Sequence, residues 1–168
     1  DRLSTLARIL QSPGRGRSIV FARTKRQAAG VAEELAKLGF RVGAVHGDMR
    51  QKDREQSLDQ FRRNEVDVMV ATDVAARGID IEDVTHVINY QVPDDERTYV
   101  HRIGRTGRAG NTGTAVSLIG WDEVARWNAI SDALGLDLPD DVGDQVGPPR
   151  GVKGAALKVK KSRRGPRP

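Results

Sequence analysis

Short apolar runs alternate along the chain with segments whose apolar residues recur every three or four positions. The run SIVFA at 18–22 is typical of a buried strand, and KRQAAGVAEELAKLGF follows it with helical spacing. The positions expected to face the core are Ala28, Val31, Leu35 and Leu38. Gly39 stands where helices commonly end in a left-handed residue. The pattern predicts a strand followed by an amphipathic helix.

The same alternation continues to about residue 138. The segments RVGAVHG, DVMVAT, THVINY and TAVSLI are predicted strands, and DRLSTLARILQ, QKDREQSLDQFRR and WDEVARWNAISDAL are predicted helices. In the polar helix QKDREQSLDQFRR we expect Leu58 and Phe61 to point inward. Apolar strands separated by helices need crossover connections, so the chain predicts an α/β fold with a doubly wound parallel sheet covered on both faces.

The loops that follow these strands are rich in small, hydroxyl and basic residues. They are FARTK (21–25), HGDMRQKDR (46–54) and ATDVAARGIDI (71–81). In doubly wound sheets ligands bind at the carboxyl ends of the strands. Hydroxyl donors, glycines that allow close backbone approach and arginine charges together suit phosphate groups. The residues that carry this prediction are Thr24, Thr72, Gly47, Gly78, Arg54 and Arg77.

Taken singly, these residues also have ordinary structural explanations. Thr24 fits the cap of the following helix, Asp73 fits a turn, and Gly78 fits a left-handed turn position. The phosphate prediction therefore depends on their sharing one edge of the sheet.

The segment HRIGRTGRAG (101–110) places Arg102, Arg105 and Arg108 three residues apart with glycines between them. In a helix this spacing would fan the arginines across one side. Each glycine costs a helix about 1 kcal/mol relative to alanine, so the lack of bulk indicates close approach of another body. A nucleotide, a second domain or an RNA backbone would each fit guanidinium groups presented in this way.

Composition narrows the class of protein. The 168 residues, 38% of them hydrophobic, suit one core; there is no cysteine and only three histidines, which argues against disulfides and a metal cluster. No apolar run approaches the roughly 18 residues of a membrane span, and the start does not resemble a signal peptide. We expect a cytoplasmic protein without a membrane partner.

The net charge of +5 is concentrated at the end of the chain. Residues 150–168 hold eight lysines and arginines and no acid, which leaves 20 bases against 23 acids before them. We therefore divide the chain into a domain at 1–138, an acidic Pro/Gly linker at 139–149 and a basic, disordered tail at 150–168. Such a tail serves either as an RNA-binding arm or as a solubilising end.

Four motifs resemble those of one enzyme family. ATDVAARGIDI and HRIGRTGRAG are similar to motifs V and VI of DEAD-box RNA helicases, and IVFARTK and QKDR are similar to motifs IV and IVa. The resemblance covers about Leu3 to Asp137. It implies the second of two RecA-like domains of an ATP-dependent RNA helicase, and the initial His101 of motif VI favours this family over related helicases.

The resemblance implies a role for each site residue. Arg105 and Arg108 would be arginine fingers on the ATP γ-phosphate, Asp80 would contact the ribose and pair with Arg102, and His101 would face the partner domain and help to sense the nucleotide. RNA would be held by its backbone, without sequence preference. The residues implied in RNA binding are Thr24, Gly47, Gln51, Arg54, Thr72, Arg77 and Gly78.

The sequence lacks a G-x-x-x-x-G-K-[ST] loop and a DEAD tetrapeptide. We therefore expect ATP and Mg²⁺ to be held by an N-terminal RecA-like domain of the same protein, which would act as a monomer, and we expect this chain alone not to hydrolyse ATP. Two alternatives remain at this point. One is a plain RNA-binding module whose affinity does not depend on ATP, and the other is a nucleotide-free scaffold of the same fold.

Overall fold

The computed structural model of the chain describes residues 2–77, 81, 84–107 and 113–136, together with the backbone of a strand at 154–161. Five parallel strands form the sheet in the order β2-β3-β1-β4-β5. Their bounds are β1 Ser18–Phe21, β2 Val42–Val45, β3 Val68–Ala71, β4 His86–Asn89 and β5 Gly113–Gly120. All five match predicted strands, and the doubly wound parallel fold is confirmed.

Helices connect the strands as the periodicity predicts, with two additions. Their bounds are α1 Arg2–Leu10, α2 Lys25–Lys37, α3 Gln51–Arg62, α4 Asp73–Ala76, α5 Glu96–Ile103 and α6 Val124–Leu134, with a 3₁₀ turn at Trp121–Glu123 before α6. The additions are α4, a single turn inside a segment predicted to be a loop, and α5, which lies between two predicted strands where no helix was predicted. No described helix is long and apolar enough to cross a membrane.

Helices cover both faces of the sheet. On one face, Leu6 and Leu10 of α1 and Leu35 of α2 pack with Val20 and Ile88. The other face carries two neighbouring cores, one under α3 and one under α5 and α6. Val87 of β4 belongs to the first and Ala115 of β5 to the second, and these two residues are register partners. The residues of these two cores include Leu58, Phe61, Ile19 and Met69 under α3, and Tyr99, Trp127 and Ile119 under α5 and α6.

The ends of α2 follow the predicted chemistry, but one of its apolar positions does not. The Thr24 hydroxyl accepts a hydrogen bond from Gln27 N at 3.2 Å and so caps the helix. Gly39 has φ of +94°, the left-handed conformation expected there. Leu38 was predicted to face the core and is instead 58% exposed, because α2 ends at Lys37 and Leu38 is the cap residue beyond its last turn.

The end of the chain differs from the prediction of a disordered tail. Gly154–Lys161 form β6, antiparallel to β5, with Gly154 opposite Gly120 and Lys161 opposite Gly113. Strand pairing needs only main-chain donors and acceptors, and an edge strand such as β5 offers a row of them whatever the composition of its partner. The linker at 139–149 and tail residues 150–153 and 162–168 lie outside the described residues.

Candidate nucleotide and RNA site

The segment after β3 turns immediately into α4, which places its polar residues at the sheet edge. Thr72 stands at the N-terminal cap position of α4 and is 7% exposed, and its N–H donates to Val45 O at 3.3 Å. Arg77 follows the last helical residue and is exposed. Gly78 and Asp80, to which RNA and ribose contacts were assigned, lie outside the described residues.

The helix α5 is fixed at its start by a cap and along its length by aromatic packing. Asp95 accepts a hydrogen bond from Thr98 N at 2.8 Å, and the hydrogen bonds from Thr98 hold the pKa of that carboxyl below its usual value. Tyr99 meets Trp127 of α6 edge to face, with ring centroids 5.5 Å apart. Burial raises the pKa of the Tyr99 hydroxyl to about 12. The cap and the packing give α5 one defined position.

Arg102 is a buried structural residue rather than an exposed cation. Its Nε and Nη2 donate to the two carboxylate oxygens of Asp73, each at 2.7 Å, and Nη1 donates to Gln91 O at 2.8 Å and Asn89 Oδ1 at 3.3 Å. The guanidinium also lies over the Phe21 ring, 5.3 Å from its centroid. Its side chain is 2% exposed. A bidentate pair of this kind joins α5 to the start of α4.

One prediction about motif VI needs correction. The three arginines do not share one side of a helix, because α5 ends at Ile103 and Arg102 points into the core. Arg102 was also expected to pair with Asp80, which lies outside the described residues; among those the structure describes, its carboxylate partner is Asp73. The interpretation of Asp73 as an ordinary turn residue was therefore incomplete.

Arg105 reaches back from the turn after α5 to α4. Its Nη2 donates to Ala76 O at 3.0 Å, and its own carbonyl accepts from Val84 N at 3.4 Å. The side chain is half-buried. Arg108 lies outside the described residues.

A shallow cleft lies between α4 and α5. It is lined by Phe21, Asp73, Ala76, Arg77, Thr98, His101, Arg102 and Arg105. Arg77, His101 and Arg105 are basic side chains of this lining, and Thr98 adds a hydroxyl group. The cleft therefore suits an anion such as a phosphate group.

The residues assigned to RNA are spread over the loops after β1, β2 and β3, which are neighbours in the sheet. Gln51 begins α3, and its side-chain amide donates to Glu55 at 3.3 Å. Arg54, one turn further on, donates from Nη2 to Ala75 O at 3.1 Å. Gly47 has open space where a side chain would be. The structure thus brings the described members of this set to one edge, with Thr24 engaged as the cap of α2.

Three residues of the cleft were not singled out by sequence reasoning: Asp73 as an ion-pair partner, Thr98, and the ring of Phe21. An acid directly after a buried strand is a signal that could have identified Asp73, because the carboxyl ends of the strands share one edge. Among the described residues, no group of three or more histidines and acids is arranged to hold a metal ion.

Comparison with known proteins gives the family. Residues 1–110 match the family "Helicase conserved C-terminal domain". The chain is 45% identical over 139 residues to the ATP-dependent RNA helicase RhlB of Vibrio parahaemolyticus, covering 83% of this chain and 32% of that protein. It therefore spans about a third of the length of this curated relative.

Two solved structures share the fold. The structure of the E. coli DEAD-box protein SrmB bound to regulator of ribonuclease activity A matches with a TM-score of 0.75 at 39% identity, covering 79% of this chain and 78% of that one. The C-terminal domain of the DEAD-box protein Dbp5 matches with a TM-score of 0.73 at 36% identity, covering 80% and 79%. The chain belongs to the helicase C-terminal domain family, and within it to the RecA-like C-terminal domains of DEAD-box RNA helicases.

Proposed function

We propose that this chain is the C-terminal half of an RNA helicase core in which Arg105 and Arg108 are arginine fingers on ATP. The observation that carries the proposal is the cleft between α4 and α5, where Arg105 and Arg77 lie beside His101. Guanidinium groups at this place would stabilise the negative charge that develops on the phosphoryl oxygens during transfer. Asp80 would accept a hydrogen bond from the ribose, and His101 would face the partner domain.

RNA would run along the loops after β2, β3 and β1. The residues that would hold its backbone are Thr24, Gly47, Gln51, Arg54, Thr72, Arg77 and Gly78. Their groups are hydroxyls, guanidinium groups, an amide and open backbone, which recognise phosphate and sugar rather than base edges. Phe21 is 2% exposed and belongs to the core, which supports recognition without base stacking on this edge.

ATP would be held chiefly by an N-terminal RecA-like domain of the same protein, with Mg²⁺ there to neutralise the phosphates. Binding of ATP and RNA together would close the two domains, bring Arg105 and Arg108 to the γ-phosphate and bend one RNA strand, so that a short duplex separates locally. Hydrolysis would let the two domains separate again and release the RNA strand. We further propose that the protein acts as a monomer in the cytoplasm.

The test is RNA-stimulated ATP turnover of the two-domain protein with Arg105→Lys and Arg108→Lys. Lysine keeps the charge and removes the planar guanidinium fork. We expect each variant to lower kcat by about 10³ or more, the size of an arginine-finger effect. RNA affinity in the presence of a non-hydrolysable ATP analogue should be largely kept.

Arg62→Lys is the matched control, because Arg62 lies on the exposed side of α3 and pairs only with Asp59 among the described residues. Turnover of this variant should equal that of the wild type. If the Arg105 and Arg108 variants also turned over ATP normally, the arginines would serve RNA or structure. If RNA affinity did not respond to the ATP analogue in any form of the protein, a plain RNA-binding module would be the correct description.

A further inference from the structure

The short helix α4 is stabilised at its C-terminal end by side chains from other elements. Within α4, Ala76 N–H donates to Thr72 O at 3.0 Å and Arg77 N–H donates to Val74 O at 3.3 Å. The next two carbonyls are those of Ala75 and Ala76. Carbonyls at the end of a helix have no partner inside it and attract cations.

Two arginines fill these two adjacent positions. Arg54 of α3 donates from Nη2 to Ala75 O at 3.1 Å, and Arg105 donates from Nη2 to Ala76 O at 3.0 Å. One arginine comes from the side of the RNA loops and the other from the side of the nucleotide cleft. The last turn of α4 is therefore a physical link between the two ligand sites.

Arg54 is only partly satisfied where it lies. Its Nε is fully buried and meets no hydrogen-bond acceptor among the residues that the structure describes. A buried donor without a partner is costly, so this position is not the best that Arg54 can have once an anion is near.

The two ends of α4 differ in how they are held. At the start, Asp73 forms its bidentate ion pair with the buried Arg102. At the end, Ala75 O and Ala76 O accept hydrogen bonds from two half-buried arginines. A displacement of α4 would therefore begin at Ala75 and Ala76 and pivot about Asp73.

We propose that the C-terminal end of α4, residues Ala75 and Ala76, is a latch with two positions that couples Arg54 to Arg105. This inference rests on the proposed function. In the seated position both guanidinium groups hold α4, and in the released position both are available to phosphates. Either ligand favours the released position, so each lowers the free-energy cost of releasing the arginine that the other needs. Arg54 is then a positioning residue for Arg105 as well as an RNA ligand.

The coupling is tested first in the 168-residue chain without any ligand, by NMR. We expect Arg105→Met to shift the Arg54 Nε–Hε signal and the Ala75 carbonyl signal, and to raise the amide exchange rates of Ala76 and Arg77 by about fivefold or more. Arg54→Met should do the same to the Arg105 signal. Arg62→Met, on the same helix as Arg54, should leave all these signals unchanged.

Lysine at position 54 or 105 should restore part of the protection, because an ammonium group also donates to a carbonyl. If a methionine variant lowers the stability of the whole domain, the lysine variants can be used instead to test the coupling between Arg54 and Arg105. The latch would be overturned if neither the Arg54 Nε–Hε signal nor the exchange rates of the Ala76 and Arg77 amides changed in any Arg105 variant. Since no nucleotide is present, that result would leave the arginine-finger proposal standing, and a failure of the turnover test would leave the latch standing.

The second measurement is RNA affinity of the two-domain protein with and without a non-hydrolysable ATP analogue. With the latch, Arg54→Met should reduce the factor by which the analogue tightens RNA binding, by about fivefold or more. Gln51→Ala gives the reduction expected from a lost RNA contact alone, because the side chain of Gln51 bonds to Glu55 within α3. A reduction in Arg54→Met no larger than that in Gln51→Ala would overturn the inference.

Discussion

Gly113 and Gly47 lack side chains for different reasons. A Cβ at Gly113 would lie 2.6 Å from the backbone nitrogen of Gly107 and would overlap the Thr106 side chain. A Cβ at Gly47 would meet no atom within 4 Å, and the φ of Gly47 is not in the left-handed region. The fold itself therefore requires glycine at 113, while at 47 any requirement must come from a ligand.

We predict opposite outcomes for alanine at the two positions. Gly113→Ala should destabilise the chain by about 1–3 kcal/mol through overpacking, as measured by urea unfolding. Gly47→Ala should change the free energy of unfolding by less than about 0.5 kcal/mol. In the two-domain protein, however, it should weaken RNA binding about fivefold, equivalent to about 1 kcal/mol. Unchanged RNA affinity in Gly47→Ala would remove Gly47 from the RNA site.

At the scale of elements, the start of α5 decides where motif VI lies. Asp95 caps the helix through Thr98, and the lowered pKa of its carboxyl means that the folded state prefers the ionised form. Loss of this cap would loosen the first turn of the helix that carries His101 and Arg102. The cap should therefore contribute to stability in a way that depends on pH.

The predicted pH dependence follows from the direction of that shift. Because the folded-state pKa of Asp95 is below the unfolded value of about 3.9, its contribution is fully present above that pH and is lost as the pH falls through the folded-state pKa. Asp95→Ala should have a lower Tm than the wild type at pH 7, and the difference should narrow below about pH 4. Asp95→Asn, which keeps a capping acceptor, should lie closer to the wild type at pH 7. A gap between wild type and Asp95→Ala that stays constant from pH 7 to pH 3 would contradict this assignment.

Periodicity predicts the elements that bury apolar surface and misses those held in other ways. The spacing of Leu58 and Phe61 correctly indicates the inner side of α3, since burial of large side chains is what the pattern records. The turn α4 depends on arginine contacts from distant parts of the chain, which local spacing does not contain. β6 forms by pairing with the edge of β5, and composition does not record such pairing. A prediction from composition therefore gave a disordered segment at 154–161.

Site chemistry was predictable to a similar extent. Motif order indicates which residues meet at the sheet edge, because the loops after parallel strands all lie at the carboxyl edge of the sheet. The burial of Arg102 was not predictable. Its guanidinium group is held in the core by Asp73, Asn89 and Gln91, which come from other parts of the chain. Asp80, Gly78 and Arg108 keep their predicted roles as proposals.

For the molecule as a whole, we predict that the isolated chain binds ATP weakly and does not hydrolyse it. The cleft between α4 and α5 offers cations to phosphates, but the phosphate loop and its lysine would belong to another domain. Calorimetry should give a Kd for ATP of about 1 mM or weaker. A micromolar Kd for ATP would contradict the prediction that another domain holds the nucleotide. ATP hydrolysis by this chain faster than in buffer alone would contradict the prediction that it is inactive by itself.

The strand order also has a consequence for how the chain folds. β1 lies at the centre of the sheet, and its first residue Ser18 pairs with Val68 and His86. Both pairings join residues far apart in sequence, so the central strand stays unpaired until β3 and β4 have been synthesised and brought to it, which slows folding. During synthesis the apolar run at 18–22 would be exposed meanwhile, so a nascent chain that stalls before residue 89 should be a preferred substrate for chaperones that bind apolar segments.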